Sequence, residues 1–211
     1  YIYTSAPRMT QTIDNSAEVV AENALVPFWA SHPVYKKSIV DGKTVYDTDE
    51  RGDYIVEKWQ KHYVPSTPQL AANLGFNYRT NSYWFFEIDA QYFANSYLDM
   101  NPLYRTDMAV AGGDGISTPV EVEYMAAQEK FDPVFLLNAS VGKSWYIDRK
   151  YNFGFSLNLQ NITNNKNVKT GGYEQTRLIT DTKSAERYYR YDSKYFYMQG
   201  INYMLNLYFR F

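Results

Sequence analysis

YNFGFSLNLQ, residues Tyr151–Gln160, alternates apolar and polar side chains along almost its whole length. The odd positions carry Tyr, Phe, Phe, Leu and Leu, and the even positions carry Asn, Gly, Ser, Asn and Gln. Successive side chains of a β-strand point to opposite faces of the sheet, so this segment is predicted to be a strand with one apolar and one polar face. The apolar face meets the core in a soluble sandwich, but meets lipid in a membrane barrel whose lumen is lined by the polar face.

Four further segments show the same alternation and are predicted to be strands: Gln69–Arg79, Trp84–Phe93, Phe135–Trp145 and Ile201–Phe211. Each has apolar residues on one parity and mostly polar residues on the other. If the sheet belongs to a membrane barrel, the polar parity faces the lumen. The candidate lumen-facing residues are then Asn77, Glu87, Asp89, Gln91, Asn138, Ser156, Asn158 and Asn206.

Glu87 and Asp89 are two carboxylates on the polar parity of one predicted strand. Such a pair can act in general acid–base catalysis, but the sequence shows neither a partner nucleophile nor a metal ligand beside them. Lining of a lumen is therefore the favoured interpretation. We expect no catalytic residue in this chain and do not expect it to be an enzyme.

The connections between the predicted strands differ sharply in length. Tight hairpin turns lie at 80–82 and 148–150, whereas long polar stretches occupy 6–65, 98–133 and 166–193. Connections of more than about 15 residues without structure of their own are uncommon in compact soluble domains. Short turns at one end of the strands and long loops at the other are typical of outer-membrane barrels. The pattern predicts an all-β fold, an antiparallel transmembrane β-barrel with long extracellular loops.

The composition excludes several functional classes. A net charge of −2 gives no electrostatic reason to expect nucleic acid as a partner. The absence of cysteine excludes disulfides and thiolate metal sites, and two histidines are too few for a histidine-rich zinc site. No run approaches the roughly 18 apolar residues of a transmembrane helix. The 22 tyrosines and a mean hydropathy of −0.50 are compatible with a membrane barrel and with a tyrosine-rich soluble β protein.

Two glycine-containing stretches lie in the predicted loops. Asp41-Gly42 predicts a type I′ hairpin turn. Gly112–Gly115, close to Asp107, suggests a calcium loop, but the spacing and the closing Glu of an EF-hand are missing. An extracellular loop is the favoured interpretation, and we expect neither a metal nor a cofactor.

Aromatic residues concentrate at both ends of the predicted strands. Trp84, Trp145 and Tyr151 lie near the tight turns, and Tyr188–Tyr197 supplies a second cluster near the long loops. Rings with an apolar body and a polar tip suit both interfaces of a membrane. Stacking on sugars is the alternative for Tyr188–Tyr197, and an interfacial girdle is favoured.

Five strands are too few to close a membrane barrel, and an open sheet edge in lipid leaves backbone groups unpaired. We therefore expect this chain to be the C-terminal part of a longer barrel domain. Residues 1–66 are expected to be mostly extracellular loop, and residues 67–211 the last strands.

Several motifs resemble the last strands of TonB-dependent outer-membrane receptors of the SusC/RagA type of Bacteroidetes. The motifs are YVPSTPQLAANLGFNYRTNSYW at 63–84, YLDMNPLYRTD at 97–107, LQNITNNKNVKTGGYEQTR at 159–177 and the closing NYMLNLYFRF. The resemblance runs from about Tyr63 to the last residue, and residues 1–62 match weakly. It implies the bacterial outer membrane as location and a barrel of about 22 strands.

The resemblance also implies a function in nutrient uptake. In such receptors an upstream plug domain, expected to lie outside this chain, fills the barrel, and an N-terminal TonB box couples transport to energy. A SusD-like lipoprotein closes the barrel and captures the substrate, here an oligosaccharide or a peptide. The other implied partners are outer-membrane lipid and the barrel-assembly machinery, for which Phe209 and Phe211 of the last strand are the candidate signal.

Two alternatives from other classes remain open at this stage. One is a plugless porin or adhesin-type barrel, which lacks an upstream plug and a TonB box. The other is a soluble tyrosine-rich β binding module, whose apolar strand faces pack in a protein core. Extraction into buffer without detergent favours the soluble module.

Overall fold

The computed structural model describes residues 1–12, 19–65, 67–111, 118–148, 150–175, 178–180, 187–189 and 191–211. Within them the fold is all-β, built from antiparallel strands with a few short helical segments. The chain divides into two compact units. The loop unit comprises Tyr1–Pro65, Tyr97–Glu129 and Gly172–Lys194, and the sheet unit comprises Ser66–Ser96, Lys130–Gly171 and Tyr195–Phe211.

The region of residues 1–66, which the sequence predicts to be mostly extracellular loop, contains six short strands among its described residues. The strands are β1 (Arg8–Thr12), β2 (Val19–Leu25), β3 (Ser31–Tyr35), β4 (Lys37–Val40), β5 (Lys43–Tyr46) and β6 (Val56–Lys61). They pair as three antiparallel ribbons, β1 with β2, β3 with β6 and β4 with β5. Asp41 and Gly42 join β4 to β5 with φ of 50° and 74°, which confirms the predicted type I′ turn.

The remaining elements follow in chain order. They are β7 (Leu70–Arg79), β8 (Trp84–Ala94), a 3₁₀-helix (Pro102–Arg105), α1 (Asp107–Ala111), α2 (Pro119–Ala126), β9 (Val134–Ile147), β10 (Tyr151–Gln160), β11 (Lys169–Tyr173), β12 (Leu178–Thr180), β13 (Arg187–Tyr189), β14 (Lys194–Tyr197) and β15 (Asn202–Arg210). Two further ribbons pair β11 with β14 and β12 with β13. In the described part of the chain, no helix is long and apolar enough to cross a membrane.

A five-stranded antiparallel sheet in the order β15-β10-β9-β8-β7 forms the core of the sheet unit. Its strands match the five segments predicted from the alternation to within one or two residues, so those predictions are confirmed. The β7–β8 turn is tight, as predicted, with Thr80 N donating to Trp84 O at 2.9 Å. β7 and β15 are the edge strands of the sheet as described.

The short helix α2 organises the loop unit. Thr118 and Glu121 form a capping box at its N-terminus, which satisfies backbone donors that the helix leaves unpaired. Val122, Met125 and Ala126 of this helix pack with Val110 in a small buried cluster. The cluster gives the loop unit its own apolar core.

Candidate functional site

The register places all eight candidate lumen residues on one face of the five-stranded sheet, here called the polar face. This face is formed by the odd-numbered residues of β7 and β8 and the even-numbered residues of β9, β10 and β15. Facing Cα partners on it include Asn73–Gln91, Asn77–Glu87, Asp89–Asn138, Ser140–Asn158 and Ser156–Asn206. The sequence assigned these side chains to one face only through their odd or even positions within each strand. The structure shows that they are neighbours across the strands of that face.

Hydrogen bonds link some polar-face side chains across the strands. Ser140 Oγ donates to Asn158 Oδ1 at 2.8 Å, and Asn206 Nδ2 donates to Ser156 Oγ at 3.5 Å. Glu87 stands among these groups with an exposed side chain. Amides, hydroxyls and carboxylates make this a surface for water or for a hydrogen-bonding solute.

Two aromatic residues on the polar face lie against glycines of neighbouring strands. A Cβ atom at Gly142 would come within 2.4 Å of the Phe85 ring, and one at Gly154 within 2.6 Å of the Tyr208 hydroxyl. The Tyr208 hydroxyl also shares a hydrogen bond with Ser144 Oγ. Aromatic rings that cover glycine on an adjacent strand pin the register of a sheet. Phe85 and Tyr208, although aromatic and on the polar face, thus have a packing role.

The opposite face of the sheet, here called the apolar face, is exposed on the edge strands β7 and β15 and half-buried on β10. It is formed by the even-numbered residues of β7 and β8 and the odd-numbered residues of β9, β10 and β15. Leu74 is 77% exposed and Leu207 is 75% exposed. Monomeric soluble proteins rarely leave a continuous apolar surface of this kind open to water.

A cleft of about 280 Å³ lies beside the start of β9 in the sheet unit. Its lining residues include Asp132, Asn165, Asn167 and Lys169. Lys169 Nζ lies 3.7 Å from the centroid of the Tyr195 ring. A carboxylate, two amides and an ammonium near an aromatic ring can hydrogen-bond and stack on a polar solute of moderate size.

Asn161 holds the loop that borders this region. Its side chain is buried, and its backbone has a φ of 51°, which asparagine tolerates better than most residues. Its Nδ2 donates to the carbonyls of Asn165 and Gln199, and its Oδ1 accepts from Asn165 N. Its backbone N–H donates to Asn138 Oδ1 at 3.0 Å, so one candidate lumen residue also fixes this turn.

A buried ion pair in the loop unit was not found from the sequence. Arg105 Nη2 donates to Glu174 Oε1 at 2.5 Å, and both side chains are fully buried. Arg105 also donates to Ala127 O, and Glu174 accepts from Asn101 N. Three segments distant in sequence are thereby joined. The partners are 69 residues apart, and no local pattern indicates such a pair.

Both histidines of the chain meet in the loop unit. The rings of His32 and His62 are buried and stacked with centroids 5.0 Å apart. The pKa of His32 is lowered from 6.5 to about 4, chiefly by burial and then by nearby Arg105, while Glu123 opposes the shift. His32 is therefore held neutral near pH 7. No sequence pattern indicates this contact beyond the presence of two histidines.

Some of the predicted positions lie outside the residues that the structure describes. Gly112–Gly115 lies outside the described residues, as do the side chains of Tyr188 and Tyr189. Of the aromatic cluster near the long loops, Tyr195 and Tyr197 are described, with ring centroids 6.3 Å apart. Across the described ranges, no group of three or more His, Cys, Asp or Glu side chains has the arrangement of a metal site.

Comparison with known proteins identified no relative. No protein-family model matches the chain, and searches of curated proteins and of solved structures gave no significant match. The resemblance to SusC/RagA-type receptors accordingly remains a prediction from the motifs themselves.

Proposed function

We propose that this chain forms part of the wall of a bacterial outer-membrane β-barrel that imports a bulky nutrient, an oligosaccharide or a peptide. The barrel belongs to a TonB-dependent transporter of the SusC/RagA type with about 22 strands. A plug outside this chain fills it, and a SusD-like lipoprotein works with it at the cell surface.

The observation that carries the proposal is the two-faced sheet. One face is apolar and exposed, and the other carries amides, hydroxyls and carboxylates. A barrel wall needs this division, because lipid contacts one face and an aqueous or plugged lumen contacts the other. In water alone, the apolar face would favour association with other apolar surfaces.

Aromatic residues at the tight-turn end add independent support. On the apolar face, the rings of Trp145 and Phe153 stack at 5.0 Å, and those of Tyr151 and Phe209 stack at 6.1 Å. Outer-membrane barrels carry such girdles where the apolar band meets the headgroups. The edge strands β7 and β15 would pair with further strands of the same barrel, because unpaired edges are not tolerated in lipid.

A pair of arginine substitutions on adjacent residues tests the membrane assignment. Leu157 lies on the apolar face between Val141 and Leu205, whereas Ser156 lies on the polar face. Leu157→Arg should cost about 2–4 kcal/mol in a lipid-refolding titration of the full protein. Ser156→Arg should cost much less, because its side chain points away from lipid. Equal costs would refute the barrel assignment.

Energy coupling separates the proposed transporter from a plugless porin or adhesin-type barrel. Uptake by the full protein in cells should stop when TonB is deleted and return when it is restored. Uptake that persists without TonB would favour the porin. A protein that stays in buffer without detergent would instead favour the soluble binding module.

A further inference from the structure

A single lysine lies on the apolar face of the five-stranded sheet. On the described strands β7, β8, β9, β10 and β15, Lys143 is the one charged side chain of that face. Its Cα partners are Trp84 on one side and Phe155 on the other. A charge in such a row is costly in lipid near the bilayer centre and much less costly near an interface.

Aromatic rings surround the ammonium group. Lys143 Nζ lies 4.9 Å from the centroid of the Trp84 ring and 5.1 Å from that of Trp145. Phe155 completes the enclosure, with its ring 6.0 Å from both indoles. Cation–π contacts hold the ammonium in place but leave its charge uncompensated. None of the ion pairs among the described residues involves Lys143.

The surface next to Lys143 changes character along the strand. Towards the middle of the sheet, the next row on the apolar face is Phe86, Val141 and Leu157. Towards the turn, Trp145 and Ile147 follow on β9, and Tyr151 faces Ile147. The cation thus lies at the border between an apolar band and an aromatic girdle. Its surroundings combine a positive charge with an adjoining surface for hydrocarbon.

We propose that Lys143, Trp84 and Trp145 form a binding site for the headgroup of an anionic glycerophospholipid. The ammonium pairs with a phosphate oxygen, and the acyl chains lie over Phe86, Val141 and Leu157. This inference rests on the proposed function, because it requires the apolar face to lie in a bilayer. An anionic lipid is favoured over a zwitterionic one, because its net charge complements the unpaired lysine.

The indoles serve as reporters for the test. The full protein is reconstituted in vesicles of phosphatidylcholine with a minor fraction of phosphatidylglycerol. Bromine, which quenches tryptophan fluorescence at short range, is placed either on the phosphatidylglycerol or on an equal number of phosphatidylcholine molecules. Because the chain also contains Trp29 and Trp59, the change in the ratio of the two quenching efficiencies on substitution of Lys143 measures the enrichment of anionic lipid beside Trp84 and Trp145.

For the unaltered protein we expect a ratio of roughly two to five in favour of the anionic lipid. Lys143→Gln should lower it to about one, and Lys143→Arg, which keeps a cation, should retain it. Lys150→Gln is the matched control. It removes a lysine at the same end of the sheet, but that lysine lies over Tyr151 and not over the two indoles. The ratio should therefore be unchanged in this variant.

The outcomes separate this inference from the proposed function. Quenching by both lipids with a ratio of one in the unaltered protein, or with equal enrichment in Lys143→Gln, overturns the lipid site and leaves the barrel standing. Absence of quenching by either lipid overturns the barrel and the site together. If Lys143→Gln fails to insert, high salt replaces it as the test, because salt screens an ion pair at the bilayer surface. Enrichment that survives high salt contradicts the site.

Discussion

The Nδ1 atom of His32 lies 2.8 Å from the Nε2 atom of His62. The second nitrogen of His62, Nδ1, lies 2.8 Å from the carbonyl oxygen of Trp29. Because a carbonyl only accepts hydrogen bonds, Nδ1 of His62 carries a proton. Nε2 of a neutral His62 then accepts from the protonated Nδ1 of His32. The tautomer of each ring is thus fixed by its neighbour.

This chain of hydrogen bonds predicts a loss of stability in mild acid. The pKa of His32 is lowered from 6.5 to about 4, chiefly by burial and then by Arg105, with Glu123 opposing. The folded state therefore favours the neutral ring. The stabilisation is fully present above the unfolded pKa near 6.5 and is lost as the pH falls from 6.5 towards 4. The full effect is about 3 kcal/mol.

Amide hydrogen exchange in β3 and β6, corrected for the intrinsic pH dependence, measures the effect. The opening free energy of these strands should fall across this window in the unaltered protein. His32→Gln should flatten the dependence, because a neutral side chain replaces the titrating ring. An unchanged pH profile in this variant would contradict the assignment to His32.

The buried pair of Arg105 and Glu174 predicts a large loss of stability when its cation is removed. Arg105→Met leaves the Glu174 carboxylate buried with one partner fewer, at a cost of about 3–5 kcal/mol. Lys36→Met is the matched control, because Lys36 pairs with Asp47 at 3.3 Å and is 56% exposed. Its removal should cost less than about 1 kcal/mol. Chemical denaturation of both variants measures the loss of unfolding free energy. A small loss in both variants would contradict the prediction.

The close packing around Gly154 predicts a loss of stability when this glycine is replaced by alanine. A Cβ atom there would lie 2.4 Å from the backbone oxygen of Lys143 as well as against Tyr208. Because backbone cannot move aside cheaply, Gly154→Ala should cost about 1–3 kcal/mol. The control is Gly75→Ala, whose Cβ would meet only Asp89 Oδ2 at an ordinary 3.6 Å. A lipid-refolding titration should separate the two variants, and equal midpoints would contradict the prediction.

The sheet was predictable because alternation is a local signal. The alternation within Tyr151–Gln160 is enough to assign each of its side chains to one face of the sheet. The tight turns then set the register of neighbouring strands. The contacts of the loop unit were not predictable. His32 meets His62 across 30 residues, and Arg105 meets Glu174 across 69, with no periodicity to connect them.

The surroundings of Lys143 were not predictable from the alternation, although the strand β9 that contains it was. Alternation assigns the residue to the apolar face, but it does not reveal that two indoles from different strands lie over the ammonium. That contact depends on the register between β8 and β9. The register depends in turn on turns and cross-strand packing, such as that of Phe85 on Gly142.

Spin labels on the edge strand β15 can measure directly whether each face of the sheet contacts lipid or water. Leu205 and Leu207 lie on the apolar face, and Asn206 lies between them on the polar face. The sequence contains no cysteine, so a single introduced cysteine is the only attachment point for a spin label in this chain. In reconstituted full protein, labels at 205 and 207 should collide often with oxygen, which concentrates in lipid, and rarely with a water-soluble nickel complex. A label at 206 should show the reverse.

If the apolar face instead packs inside a soluble protein, labels at 205 and 207 should be shielded from both reagents. That result, or the absence of alternation along the three positions, would contradict the lipid-facing assignment.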